Sequence, residues 1–128
     1  MNFTARPASL VEVAQRTLEG SRFGYEVKDF LHEFQEREEF SMLAEEPPVL
    51  AGKIEQGDRW DAFLQALAVY LATRIHRDPP AWTQPPKQLP DPWFASPGMA
   101  IRNYLLLSSP APFRTRNLFV DEDSLSVV

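Results

Sequence analysis

The clearest pattern of hydrophobic positions in the chain follows Asp58. Large apolar side chains recur there at the spacing of one helical face: Trp60, Phe63, Leu64, Leu67, Leu71 and Ile75. Much of the opposite face is apolar as well, with Ala62, Ala66, Val69, Tyr70 and Ala72. A helix that is apolar on nearly all sides belongs at the centre of a fold. We therefore predict a central helix capped by Asp58 and preceded by a loop from Gly52 to Gly57.

A short helix is predicted near the N-terminus. Ser9 and Glu12 stand in the reciprocal capping arrangement, and Gly20 supplies a stop. These signals predict a helix from Leu10 to about Glu19. Because its apolar stripe is thin, we expect residues 1–22 to pack only loosely on the rest.

A second, amphipathic helix is predicted from Glu26 onwards. Its apolar face holds Val27, Phe30, Leu31 and Phe34, and its polar face holds Lys28, Asp29, His32, Glu33 and Glu36. Phe40, Met42 and Leu43 extend this helix or begin a short successor. The pair Pro47-Pro48 ends whatever precedes it.

A proline-rich segment spans residues 79–97. Its seven prolines fix φ and remove backbone donors, so we expect neither a helix nor a central strand. Large apolar side chains interleave with them: Trp82, Leu89, Trp93 and Phe94. We expect these side chains to anchor an extended loop across the core. The alternative is a polyproline ligand for a partner, although no two of these prolines have PxxP spacing.

The C-terminal part is predicted to hold one more helix and an irregular tail. Ser96-Pro97 begins the helix, which runs through Leu107 with Ile101, Tyr104 and Leu105 inward. The tail should be a short extended piece followed by a capped turn or a small helix, with Phe119 and Leu125 buried. The predicted fold is mainly α: a single domain over residues 1–128 with four to five helices, the Pro/Trp loop packed over the core and the irregular tail.

Length and composition support a single domain with a packed core. The chain has 128 residues, and 44% of them are hydrophobic. The absence of cysteine excludes a disulfide framework, a thiolate zinc site and a cysteine nucleophile. No signal-peptide pattern opens the chain, and no apolar stretch reaches the roughly 20 residues of a membrane span. These features predict a cytoplasmic location without membrane contact.

Charge narrows the choice of partner. The net charge is −5, which repels nucleic acid and anionic lipid, so we expect neither as a partner. Residues 26–46 contain eight acids and only two bases. This acidic stretch is typical of a solvated helix face, and the alternative is a docking surface for a basic partner.

Candidate metal ligands are few. Residues 32–36 resemble the zinc-protease HExxH helix, but a glutamate stands where the second histidine belongs, and His76 is the only other histidine. Asp121 and Asp123 match the first two ligands of a calcium loop that lacks its glycine. Helix capping by Asp123 or Ser124 is the simpler interpretation, and we predict no metal site.

Catalytic motifs are also missing from the sequence. Neither GxSxG nor SxxK occurs, and the five glycines form neither GxGxxG nor a phosphate-binding loop. The paired carboxylates are expected on exposed faces, without the burial or charge partners that make a catalytic acid or base. We predict that the protein is not an enzyme and binds no cofactor.

One basic and aromatic stretch, residues 113–117, is a local candidate for nucleic-acid contact through Arg114 and Arg116. Two arginines in an acidic protein are a weak electrostatic signal. We expect these arginines to pair with the acids at 121–123 or to lie on a surface that meets a partner.

Several short segments resemble a group of small bacterial proteins encoded beside nucleotidyltransferase-like genes in toxin–antitoxin arrangements. They are Phe30-Leu31, Phe34, Glu46-Pro47-Pro48, Asp61-Ala62-Phe63-Leu64, Tyr70-Leu71-Ala72, Pro80-Ala81-Trp82-Thr83, Pro92-Trp93-Phe94, Ser109-Pro110-Ala111-Pro112-Phe113-Arg114 and Asn117-Leu118-Phe119-Val120. The resemblance covers roughly residues 29–128 and implies a non-catalytic partner protein of the antitoxin type. Many members carry a helix-turn-helix domain ahead of this region, whereas only a short helix is predicted here.

The leading functional hypothesis is a non-catalytic protein-interaction module, and the resemblance adds the role of an antitoxin-like partner of a nucleotidyltransferase-type toxin. The acidic face and the Pro/Trp loop are the expected contact surfaces, in preference to a pocket. The candidate partner contacts are Glu33, Glu36, Trp82, Trp93, Arg114 and Arg116.

Two alternatives belong to other classes. An enzyme with a site assembled from scattered residues would need a deep pocket lined by two or more buried acids. A weak nucleic-acid-binding regulator would need a continuous positive patch around Arg102, Arg114 and Arg116.

Overall fold

A computed structural model describes residues 5–95, 104–106 and 108–125. In chain order the elements are α1 (Leu10–Leu18), α2 (Phe23–Arg37), α3 (Ser41–Ala44), α4 (Gly57–Arg74), a 3-10 helix (Ala81–Thr83), β1 (Trp93–Phe94), α5 (Ala111–Arg114), β2 (Leu118–Phe119) and a C-terminal 3-10 helix (Glu122–Leu125). Residues 104–106 and 108 are helical too. The predicted mainly helical class is confirmed.

Helix α4 is the central element. Twelve of its 18 residues are buried, because small and large apolar side chains cover nearly all of its circumference. Its predicted cap is wrong, since the helix begins at Gly57 and Asp58 lies exposed in its first turn. A Cβ at Gly57 would overlap the backbone carbonyl of Leu50, so close backbone approach sets the start of this helix.

A carboxylate inside α4 holds the loop that precedes the helix. The buried side chain of Asp61 accepts hydrogen bonds from the backbone N–H groups of Leu50 (2.8 Å) and Ala51 (3.0 Å). The sequence pattern assigned no structural role to this residue. Asp61 therefore fixes the 46–56 loop on α4 through two charge-assisted hydrogen bonds.

Helix α1 is packed more closely than its thin apolar stripe predicts. Leu10, Val13 and Ala14 are fully buried, and Val13 completes the stripe. The Ser9 hydroxyl accepts a hydrogen bond from the Glu12 N–H at 3.2 Å, which confirms the predicted N-cap of α1. The expected loose packing is thus wrong for α1.

Helix α2 starts at Phe23, three residues earlier than predicted. Glu26 does not lie on a solvated face, because its carboxylate is buried between Arg16 (3.4 Å) and the Ser21 hydroxyl (2.6 Å). These contacts join α1 to α2. A short separate helix, α3, follows α2.

The proline-rich segment contains two short elements that were not expected, the first 3-10 helix and β1. Strand β1 pairs in parallel with β2, and Trp93 is opposite Leu118. The ladder uses the N–H groups of Trp93 (to the Asn117 carbonyl, 2.9 Å) and Ala95 (to the Phe119 carbonyl, 3.0 Å). None of these donors is a proline, so the prolines do not prevent this local pairing.

The C-terminal part differs from the prediction at Tyr104, whose side chain is 53% exposed, whereas Leu105 is buried as expected. Successive helical positions lie about 100° apart, so a helix with one face on the core can bury Leu105 and leave Tyr104 exposed. The predicted helix start at Ser96-Pro97 and Ile101 lie outside the described residues. Phe119 and Leu125 are buried.

Candidate binding groove

An apolar groove with a volume of about 590 Å³ lies between α2, the first turns of α4, β1 and the C-terminal 3-10 helix. Its volume falls in the usual range for ligand sites, and it is open on one side rather than enclosed. Its walls bring together residues that are far apart in the chain, from Phe23 to Leu125. We call this feature the α2 groove.

Aromatic rings form the floor of the α2 groove. Phe23 stacks on Trp60 with ring centroids 4.5 Å apart, and Phe63 meets Phe23 edge to face at 5.6 Å. Trp93, from the proline-rich segment, meets Trp60 edge to face at 5.7 Å. The guanidinium of Arg59 lies 4.9 Å from the Trp93 ring centroid. These contacts hold the floor in a fixed shape before anything binds.

The two walls of the α2 groove carry opposite charges. On α2, Lys28 and His32 are one helical turn apart and both line the groove. Asp123 and Ser124 line it from a different element, the C-terminal 3-10 helix.

Two acidic residues of α2, Glu26 and Glu33, pair with arginines. Glu26 is bonded to Arg16, and Glu33 lies 3.8 Å from Arg6 and 3.6 Å from Arg37. No ion pair of Lys28 occurs among the residues that the structure describes. The α2 wall is therefore cationic in a chain of net charge −5.

A polar contact with α4 holds the 3-10 wall in place. The Tyr70 hydroxyl donates to the Glu122 carboxylate at 2.9 Å and accepts from Arg74 at 3.0 Å. Burial and the bond to Glu122 raise the pKa of Tyr70, so the phenol keeps the proton it donates.

The described lining is mainly apolar and aromatic, with Lys28, His32, Asp123 and Ser124 as its polar residues. Asp123 is its single carboxylate, whereas an assembled catalytic site would require a pair of buried acids. Within the described ranges no group of three potential metal ligands comes together. The apolar floor and the few polar groups on the rim suit the binding of an amphipathic surface.

The acidic candidate contacts do not line the α2 groove. Glu33 is half-buried between two arginines, and Glu36 is exposed with a 3.1 Å contact to Arg6. Glu33 and Arg37 are four residues apart on α2 and form an ion pair at 3.6 Å.

The two tryptophan candidates, Trp82 and Trp93, lie in different parts of the fold. Trp93 lines the groove, whereas the indole N–H of Trp82 donates to the Leu43 carbonyl at 3.0 Å, on another side of the fold. One of the two loop tryptophans thus fixes the segment, and the other contributes to the candidate site.

The expectation that Arg116 pairs with the acids at 121–123 or meets a partner is wrong. Its side chain is only 2% exposed and donates to Gln65 Oε1 (3.1 Å) and to the carbonyls of Pro112 (2.8 Å) and Thr83 (3.0 Å). Burial lowers the pKa of this guanidinium. Arg114 is exposed, so a positive patch would have to form without Arg116.

Sequence reasoning missed the groove residues that precede the predicted start of α2, above all Phe23 and Gly24. A signal was present, because Phe23 extends the i, i+4 series of Val27 and Leu31 by one turn. Gly20 and the polar residues after it obscured that turn.

No protein-family model, curated protein or solved structure matches this chain. The resemblance to the toxin-associated bacterial proteins therefore stays a prediction. Among the described residues, no helix is both long and apolar enough to span a lipid bilayer.

Proposed function

We propose that this protein is a non-catalytic protein-interaction module that binds its partner through the α2 groove. The observation that carries the proposal is the preformed aromatic floor, in which Phe23, Trp60 and Trp93 pack on one another and still line an open groove. Aromatic side chains held in such positions are typical centres of binding energy at protein interfaces. The partner's apolar side chains would cover this floor and remove it from water.

The ion pairs of the acidic stretch make it a less favourable binding surface than the α2 groove. Glu26 and Glu33 are already paired with arginines of the same chain, so part of the acidic charge is used within the fold. A partner that binds there would have to compete with those ion pairs. The groove requires no such exchange.

The resemblance of the sequence segments supplies a candidate partner, a nucleotidyltransferase-type toxin. In that role the chain would bind the toxin and neutralise it without doing chemistry of its own.

The test uses position 24, which lies on the rim of the α2 groove. Gly24 lines the groove, and an added Cβ there meets no atom within 4 Å, so the larger side chain of Gly24→Leu adds bulk at the groove without a clash at its Cβ. Gly24→Ala is the matched control, because it makes the same change in helix propensity with little added volume. Both variants should be as stable as the parent or more stable, by up to about 1 kcal/mol.

The measurement is affinity capture from the native host with quantitation of the recovered protein. We expect the parent and Gly24→Ala to recover one protein in similar amount, and Gly24→Leu to recover it about tenfold less, equal to roughly 1.4 kcal/mol. If Gly24→Leu recovers that protein as well as the parent does, the partner does not use the groove. If the parent recovers no protein, the interaction function itself fails.

A further inference from the structure

We infer that the partner segment seated in the α2 groove is an apolar peptide carrying a carboxylate that lies against Lys28 and His32. This inference rests on the proposed function and adds the chemistry of the segment that binds. The juxtaposition behind it is an aromatic floor in a groove that Lys28 and His32 line from α2 and Asp123 lines from the C-terminal 3-10 helix.

The floor specifies the apolar part of the peptide. Trp60 and Trp93 are only partly buried against the core, so they supply accessible ring surface in the groove. Phe23 (6% exposed) and Phe63 (9% exposed) are largely buried and pack against Trp60. A peptide with aromatic or branched aliphatic side chains would bury that surface. A polar peptide would leave its own backbone and side chains desolvated against the rings.

The cationic wall determines which charge the bound peptide should carry. Lys28 is exposed and takes part in no ion pair with another described residue, while His32, one turn later, is half-buried at the same wall. A carboxylate placed there would meet an ammonium and an imidazole side by side. A lysine or arginine at the same place would meet like charge from Lys28.

Asp123 lines the groove from a different element, the C-terminal 3-10 helix, and so gives the bound peptide a direction. Since the walls differ in sign, a peptide with an acidic and a basic end would bind favourably one way round and unfavourably the other. The same polarity would reject a uniformly acidic or uniformly basic segment.

The probe is a phage-displayed library of random 16-residue peptides selected on the full chain, with counter-selection on Gly24→Leu. We expect the retained peptides to combine aromatic or aliphatic residues with an excess of Asp and Glu over Lys and Arg. A synthetic peptide from this pool should then be measured by calorimetry against the parent, Lys28→Glu and the control Lys53→Glu, which reverses an exposed lysine outside the groove.

We expect Lys28→Glu to weaken that peptide roughly three- to tenfold, with the difference shrinking at high salt, because the contact is exposed. Lys53→Glu should leave the affinity unchanged. Replacing the peptide's acidic residue with lysine should reverse the preference and favour Lys28→Glu over the parent.

Two results would overturn the inference, and they are distinguishable. If peptides require the open groove but show no acidic excess and no response to Lys28→Glu, the assigned chemistry is wrong while the binding function stands. If no peptide distinguishes the parent from Gly24→Leu, the groove does not bind peptides, and the proposed function loses its surface as well.

Discussion

Arg116→Met should lower the free energy of unfolding by about 3 kcal/mol. The guanidinium of Arg116 donates to three groups from different segments, Gln65 of α4, Thr83 of the first 3-10 helix and Pro112 of α5. Methionine keeps much of the apolar volume, but it leaves the buried Thr83 carbonyl and the partly buried Pro112 carbonyl without these donors. Gln65 Oε1 keeps the Lys87 N–H at 2.8 Å. Relief from burying a charge offsets part of the loss.

Urea unfolding followed by circular dichroism checks this expectation. Arg114→Met is the matched control, since Arg114 is exposed two residues away and should change stability by less than about 0.5 kcal/mol. Equal stabilities for the two variants would mean that Arg116 does not brace the fold.

Asp61→Asn should lower the free energy of unfolding by about 2 kcal/mol, although it replaces a single heavy atom. Both carboxylate oxygens of Asp61 accept backbone N–H groups, from Leu50 and Ala51. An amide offers one oxygen and one NH₂ group, so one backbone N–H would face a donor instead of an acceptor. The effect should appear as a lower urea midpoint with an unchanged slope.

Asp58→Asn is the control on the same helix, because Asp58 is exposed in the first turn of α4. It should lose no more than the small interaction of a carboxylate with the helix N-terminus, about 0.3–1 kcal/mol. A cost at Asp61 no larger than the cost at Asp58 would show that the 46–56 loop does not depend on this carboxylate.

Helix α4 could be predicted from the sequence because its hydrophobic pattern is local and repeated. Leu64, Leu67 and Leu71 recur at helical spacing, and all three are buried. The start of the same helix was not readable, since it depends on how closely Gly57 approaches the Leu50 carbonyl.

The contrast between Arg114 and Arg116 shows where local reasoning ends. Both follow Phe113 in a stretch that looks basic and exposed, yet one is exposed and the other is 2% exposed. The acceptors that bury Arg116 include groups 33 and 51 residues away in the chain. Strand β1 is similar, because a two-residue strand has no alternating pattern and is defined only by its pairing with β2.

The α2 groove could not be predicted from the sequence for the same reason. Its lining comes from residues 23–32, 60–63, 93–95 and 120–125, which only the fold brings together. Sequence reasoning placed contacts on the acidic face and in the Pro/Trp loop, and of those six candidates Trp93 alone lines the groove.

The most direct test of binding through the α2 groove is photo-crosslinking in the native host. A photoreactive phenylalanine derivative would replace Ser124, an exposed residue of the groove wall, and in separate variants Glu36 and Arg114, which are exposed elsewhere. We expect one protein adduct from position 124 and none from positions 36 and 114. An adduct from position 36 or 114, with none from position 124, would contradict the groove as the binding surface.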